Sequence, residues 1–253
     1  MDSSVLAKAF QIIEALAREP NGCGLGVLAD RVGMTKPTVH RILRNLTNLG
    51  YSERSGQGVY RLTTKLRQVA TRQDDGRLLA AGEVSLARLH EETGETVNLG
   101  VLRGDRVVYL AVLESKHPLR RVAQAQSSDP FHTTALGRSM VAFLPADRRE
   151  RLLATAKVER RTARTITDKR LLAAVLDRAR ENGYAFELDE TDLGVMCIGA
   201  PIFENDQPVA AVSISVPSAR VDEKSQKRLT AAIVRCTKEI TSNLNQFMKQ
   251  TPR

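Results

Sequence analysis

Two serines, Ser213 and Ser215, interrupt the otherwise apolar run VSISVP. Residues two apart in a strand project to the same face, so the pair sets two hydroxyls side by side where methyl groups would be expected. Buried hydroxyls need hydrogen-bond partners. Cys197, in VMCIGAP, lies on the neighbouring strand candidate and adds a thiol. The segment TTALG turns into a helix at about Thr134, and the backbone N–H groups of a helix start favour an anion. N–H donors for carboxylate oxygens and hydroxyls for polar substituents together describe a pocket for a small carboxylate. Serines and a cysteine also fill tight cores, and on residue types alone both readings stand.

The other candidate groups offer less chemistry. The acidic run Glu187, Asp189, Glu190 and Asp192 could give oxygen ligands to a hard cation. No histidine accompanies it, and alternating acids near a loop are usually solvated, so no metal is expected. His132 could serve as a base, but no serine or cysteine is tied to it by local spacing, and His90 on an amphipathic helix reads as structural. A Gly-rich phosphate loop, a GxSxG elbow and an HExxH helix are all absent. The chain therefore reads as a non-enzyme with no catalytic residue and no cofactor. The Arg-Gly-Asp at 103–105 reads as a turn.

A different chemistry is written in MTKPTVHRILRNLTNLGY, residues 34–51, which has three Lys/Arg and no acid. Residues 31–67 carry eight basic side chains against Glu53 alone, a local excess that suggests a polyanion partner. Helical spacing gathers Val39, Ile42, Leu43, Leu46 and Leu49 into a buried stripe and leaves Pro37, His40, Arg41, Arg44 and Asn48 opposite. Thr35 can cap this helix and Pro37 falls in its first turn. The preceding GLGVLADRVG is a shorter helix, and the tight VGM turn between them fits a helix-turn-helix. A first helix, SSVLAKAFQIIEALARE, has apolar positions at Val5, Leu6, Ala9, Ile12, Ile13 and Leu16, with Ser3 or Ser4 as cap and Pro20, Asn21 and Gly22 as stop. After Gly50, YSERSGQGVYRLT reads as a hairpin around SGQG, the wing of a winged helix. Thr35, Lys36, Thr38, His40, Arg41, Arg44, Arg54 and Arg61 are the expected contacts to double-stranded DNA, base edges at the helix start and phosphates around it.

Downstream, TTKLRQVATRQDDG reads as a short polar helix that breaks at Asp74, Asp75 and Gly76, where we place a domain boundary. The expected domains are a winged helix-turn-helix over 1–63, a linker helix over 64–76 and an effector-binding and oligomerisation domain over 77–253. In the last, RLLAAGEVSLARLHEETG is a helix, TVNLGVLRGDRVVYLAVLES two strands, LRRVAQA a strand and DKRLLAAVLDRARENG a helix. YAFELDETDLGVMCIGAPIFENDQPVAAVSISVP gives a short strand, an acidic loop and an antiparallel pair, and a last helix spans 222–248. Strands with helices segregated around them indicate an α+β fold with an antiparallel sheet. The 253 residues are comfortable for two domains. Three scattered cysteines with no CxxC argue against a disulfide framework or zinc module. No apolar run approaches the roughly 18 residues that span a bilayer, so a cytoplasmic protein with no membrane partner is expected.

Three segments carry a family resemblance: GLGVLADRVGMTKPTVHRILRNLTNLGYSE with YRLT, then HTTALGRSMVAFL, then ENGYAFELDETDLGVMCIGAPIFENDQPVAAVSISVPSAR. In that order and at those distances they resemble the IclR family of bacterial transcription regulators, over nearly the whole chain. The resemblance implies a winged helix-turn-helix, a linker helix and a GAF-like effector domain. It also implies homodimers through the DNA-binding domains, homotetramers as dimers of dimers, and operators near metabolic genes where a small organic acid or sugar acid changes repressor or activator binding. Its effector contacts fall on the amides of Ala135 and Leu136, on Glu187, on Cys197 and on Ser213 and Ser215. Family members that take the smallest keto acids often have aspartate where this chain has Glu187. A sequence-nonspecific DNA-binding protein and an enzyme acting on the ligand are the alternatives.

Overall fold

The computed structural model describes residues 4–19, 21–118, 120 and 123–250, the side chains of 67–74 and 247–250 excepted. Contacts divide the chain into two units, Met1–Asp74 and Asp75–Arg253.

In the first unit, helix α1 (Val5–Ala17) starts at Ser4, whose hydroxyl accepts from the Ala7 N–H at 3.2 Å. It buries Ile12, Ala15 and Leu16. Val5, Leu6 and Phe10, by contrast, are exposed. The alternative cap Ser3 and the expected breaker Pro20 lie outside the described residues. Helix α2 (Leu25–Val32) closes at Gly33 in the left-handed conformation, φ 64°, which glycine adopts without steric cost. Helix α3 (Lys36–Asn48) follows, with Thr35 at its cap position; the Thr35 hydroxyl meets that of Thr38 at 2.9 Å instead of a backbone N–H. Val39, Ile42, Leu43 and Leu46 are buried, but Leu49 is 58% exposed. It is the residue just past the last turn, where its backbone is engaged, the N–H by Asn45 O at 2.9 Å and the carbonyl by Lys65 Nζ at 2.6 Å, while its side chain is left outside the core. The hairpin β2 (Ser52–Arg54) and β3 (Val59–Leu62) gains a strand that hydropathy did not reveal, β1 (Cys23–Gly24), in antiparallel order β1-β3-β2. Two residues are too few to show a period.

The break expected at 74–76 does not occur: helix α4 runs from Lys65 to Thr93. A lone glycine inside a helix costs only about 1 kcal/mol relative to alanine, too little to end it, and ion pairs on either side offset part of that cost. Asp75 takes Arg103 at 2.6 Å and Arg77 takes Glu204 at 2.6 Å. Nothing lies within 4 Å of where a Gly76 Cβ would sit. Gly76→Ala should therefore stabilise the fold by about 0.5–1 kcal/mol, read as a rise in denaturant midpoint; a fall would mean the glycine is needed for its conformation.

The second unit is built on a six-stranded antiparallel sheet of order β6-β5-β4-β9-β8-β7. Its strands are β4 (Thr96–Arg103), β5 (Arg106–Leu113), β6 (Ser128–Pro130), β7 (Ala185–Leu188), β8 (Val195–Glu204) and β9 (Gln207–Pro217). The β8–β9 turn is Asn205-Asp206, both at positive φ, the conformation that suits a two-residue hairpin. Of the strand expected at 119–125, Leu119, Arg121 and Val122 lie outside the described residues, and Arg120, Ala123 and Gln124 carry no strand. The edge is taken by β6, too short and too polar to be read from hydropathy.

One sheet face packs Val97, Leu99, Ile198, Val212 and Ile214 against α4 and the last helix α8 (Glu223–Gln250), through Leu86, Leu89, Ile233 and Ile240. The other face receives α5 (Ala135–Val141) and α7 (Lys169–Asn182), the latter capped by Asp168 and ended by Gly183 at φ 82°. A helix not foreseen, α6 (Ala146–Thr155), has no buried residue and hence no apolar stripe to betray it. Among the described residues no helix is long and apolar enough to cross a membrane.

Candidate functional site

Sheet register does the first part of the assembly. Across β4, β9, β8 and β7 it aligns Thr96, Ser215, Cys197 and Glu187 in one row, and Asn98, Ser213, Gly199 and Ala185 in the next. Directly opposed residues share a face, so Thr96, Asn98, Glu187, Cys197, Ser213 and Ser215 gather on the side that receives α5. Gly199 is what lets α5 come so close. A Cβ there would stand 2.4 Å from the Ala135 carbonyl oxygen and 2.9 Å from the Leu136 nitrogen. The first turn of α5 thus lies flush on the sheet beside the polar rows. Thr134 caps it by accepting the Gly137 N–H at 3.0 Å, and no acceptor among the described residues meets the N–H of Ala135 or Leu136.

The polar groups bond one another. Asn98 Nδ2 donates to both Ser213 Oγ and Ser215 Oγ at 3.2 Å, and Cys197 Sγ to Ser215 Oγ at 3.3 Å. Glu187 Oε2 accepts the N–H groups of Glu190 (3.0 Å) and Thr191 (3.4 Å). Two acceptor atoms remain buried without an N–H or O–H donor, Asn98 Oδ1 and Glu187 Oε1. Burial pushes the Glu187 carboxyl up from 4.5 to about 7; the N–H of Glu190 and the Cys197 thiol oppose the shift only in part. Between these residues and Tyr109, Thr134, Ala135, Leu136 and Thr191 lies a cavity of about 10 Å³, room for roughly one water.

Two loops roof it. Arg138 on α5 is 1% exposed and forms a bidentate pair with Glu190, at 2.6 and 2.5 Å, while also donating to the carbonyls of His132 (2.8 Å) and Phe186 (3.1 Å). The segment after α6 straps the same loop: Thr162 Oγ1 donates to Asp189 O (2.5 Å), Thr165 Oγ1 to Glu190 O (2.8 Å) and the Ile166 N–H to Glu190 Oε2 (3.0 Å). Thr191 Oγ1 ties it to Thr133 O at 2.5 Å. At the far wall Tyr109 donates to Asp129 at 2.8 Å, and Arg161 holds the other oxygen of that aspartate at 2.5 Å.

Ala135, Leu136, Glu187, Cys197, Ser213 and Ser215 therefore line one cavity. Tyr109, Thr134 and Thr191 share it, Asn98 backs the two serines from β4, and none of the four was singled out from the sequence; Gly199, a glycine in an apolar strand, was the available signal, because such a glycine often marks close backbone approach. His132 stands apart. It is buried, its Nε2 faces the Glu159 carbonyl at 3.0 Å, and burial lowers its pKa. The acidic run is divided between Glu187 in the cavity wall and Glu190 in its ion pair. Among the described residues no group of three or more His, Cys, Asp or Glu could hold a metal. Cys23, Cys197 and Cys236 are all buried.

On the first unit, Lys36, His40, Arg41, Arg44 and Asn48 are exposed on α3, with Thr38 half-buried and Thr35 exposed at its start. In the hairpin, the Arg54 guanidinium lies 5.6 Å from the Tyr60 ring centroid, and Arg61 pairs with Glu53 at 2.6 Å. The basic residues of α3 have no such partner among the described residues.

Comparison with known proteins places both units. The family model described as bacterial transcriptional regulator IclR C-terminal matches residues 73–242, and that of the IclR helix-turn-helix domain matches residues 5–56. The HTH-type transcriptional regulator KdgR of Escherichia coli (strain K12) is 33% identical over 245 residues, 96% of this chain and 92% of that protein. The crystal structure of the Thermotoga maritima IclR superposes with a TM-score of 0.65 at 27% identity, covering 95% of this chain and 98% of that one. An IclR homolog from Microbacterium hydrocarbonoxydans, complexed with 4-hydroxybenzoate, shares the fold at TM-score 0.64 and 22% identity, over 96% of this chain and all of that one.

Proposed function

Because the chain belongs to the IclR family of bacterial transcriptional regulators, we propose that it binds operator DNA through the exposed face of α3 and that a small organic acid or sugar acid in the interior cavity changes that binding. One observation carries the sensing half: unpartnered amides of Ala135 and Leu136 converge with Ser213, Ser215, Cys197 and Glu187 on one enclosed space. Amides suit the carboxylate, hydroxyls the substituents. A space of about 10 Å³ does not admit an acid as it stands, so entry must displace the roof formed by 160–166 and 189–191. The function is sensing; relatives of the chain are transcriptional regulators, and we assign no turnover.

The test is operator binding at fixed salt with and without a panel of C2–C7 organic and sugar acids. No change of affinity or melting temperature with any acid would remove the sensing half. Equal affinity for operator and random DNA would favour a nonspecific binder. Arg41→Ala and Arg44→Ala should each weaken operator binding by about 1–3 kcal/mol if they read bases; a uniform loss across sequences with a shallower salt slope would assign them to phosphates. Ser215→Ala should leave operator affinity intact and blunt the acid response, since its hydroxyl accepts from Asn98 and Cys197 inside the cavity. Loss of both would assign that serine to folding.

The DNA-binding form is a homodimer, with tetramers as dimers of dimers. Val5, Leu6 and Phe10 support this. They are 57, 67 and 52% exposed along one side of α1, an apolar patch of the kind that marks an interface. The domains of the working protein are the winged helix to residue 63 and the effector domain from 77, joined through α4.

A further inference from the structure

Outside the interior cavity the second unit has a groove of about 550 Å³ along the free edge of β7. Small-molecule sites generally have this size, whereas the interior cavity holds roughly one water. One wall is the α7 stripe Val175, Arg178, Ala179 and Asn182, spaced i, i+3, i+4, i+7. The other is β7 with Ile166 from the strap.

Charge and hydrogen-bonding capacity are arranged along it. Arg178 is exposed on α7 and has no ion pair among the described residues. Across the groove Arg164 reaches Asp189 only at 3.5 Å and is 64% exposed. The Asp189 N–H bonds Val195 O. With Glu187 opposite Cys197, the antiparallel alternation turns the peptide groups of Phe186 and Leu188 away from β8, toward the groove. Arg138 takes the Phe186 carbonyl from that side. Between these groups Val175, Ala179 and Ile166 give an apolar floor.

We propose that this groove is a second ligand site, taking small amphipathic carboxylates: the apolar body lies along Val175, Ala179 and Ile166, and the carboxylate rests on Arg178. It is separate from the interior cavity and does not depend on it. Glu187 belongs to the walls of both spaces, so occupation of the groove presses on the same strand that closes the cavity.

The chain has no tryptophan, so Tyr184→Trp, whose ring packs edge-on to Phe186 at 5.2 Å, makes a single local reporter. Titrate the full chain with 3-phenylpropionate, and with 3-phenylpropionamide as the neutral match; follow the acid on unmodified protein by calorimetry. Saturable binding of the acid is expected in both formats. Arg178→Gln should weaken the acid by severalfold to about tenfold and leave the amide unchanged, and Ser215→Ala should leave the groove titration unchanged. The proposal is overturned if the acid does not saturate either the reporter or the calorimetric signal. It is equally overturned if Arg178→Gln has no effect, or if Ser215→Ala abolishes the binding while Arg178→Gln does not, which would put the acid in the interior cavity.

Discussion

Replacing Glu190 by glutamine should destabilise the protein by about 3–5 kcal/mol, the usual consequence of leaving a buried charge without its partner. Arg138 and Glu190 have side chains only 2 and 8% exposed and meet through two hydrogen bonds. Glutamine keeps the shape and one acceptor but strands the guanidinium in a low-dielectric site. The pair also has a positional role. Arg138 stands on the helix that carries the Ala135 and Leu136 amides, and Glu190 stands in the loop that roofs them. Glu190 is in turn held by the Ile166 N–H and by Thr165. Loss of the charge should therefore loosen roof and helix together, so that the residual folded protein shows a weakened acid response with operator affinity preserved. Urea denaturation and operator titrations check the two halves. An unchanged midpoint would show that the pair is not what anchors the roof.

Much of this architecture is legible in the chain because the signals are local. The stripe Val39 to Leu46 and the caps of α2 and α7 rest on helical spacing and on glycines past the last turn. The serine pair was legible for a similar reason: alternation in a strand fixes the face without knowledge of any neighbour. What escaped depends on distant partners. Asn98 reaches the serines only because β4 lies beside β9 in one register, and no feature of TVNLGVL announces that register. Arg138 reads as an ordinary basic residue near a helix end until the loop at Glu190 folds onto it. The helix break misplaced at Asp74–Gly76 has the same origin, since the ion pairs to Arg103 and Glu204 come from strands that follow in the chain. Leu49 shows the converse. It keeps the apolar period but falls one residue past the helix, where the period no longer dictates burial.

Glu187 gives the other large effect, and its sign is set by the direction of its pKa shift. Folding raises the carboxyl from 4.5 to about 7, so the folded state holds its proton more tightly than the unfolded state. The associated stability is complete below pH 4.5, declines as the unfolded chain ionises, and is gone once pH passes 7. The span corresponds to about 3 kcal/mol. Glu187→Gln cannot ionise and should escape that decline. Its stability relative to the parent should rise from near zero at pH 4.5 to about 3 kcal/mol at pH 8, measured as the difference between two urea denaturation series. The same proton bears on the ligand. Below pH 7 the cavity presents a neutral carboxyl, and a carboxylate effector meets no negative charge from Glu187. Above it, an ionised Glu187 opposes the anion, and affinity should fall by up to about tenfold per pH unit. In Glu187→Gln the affinity should stay level across the same range. A variant that kept the parent's pH profile would move the titrating group elsewhere, and a parent with no profile at all would mean that the effector carboxylate does not sit against this strand.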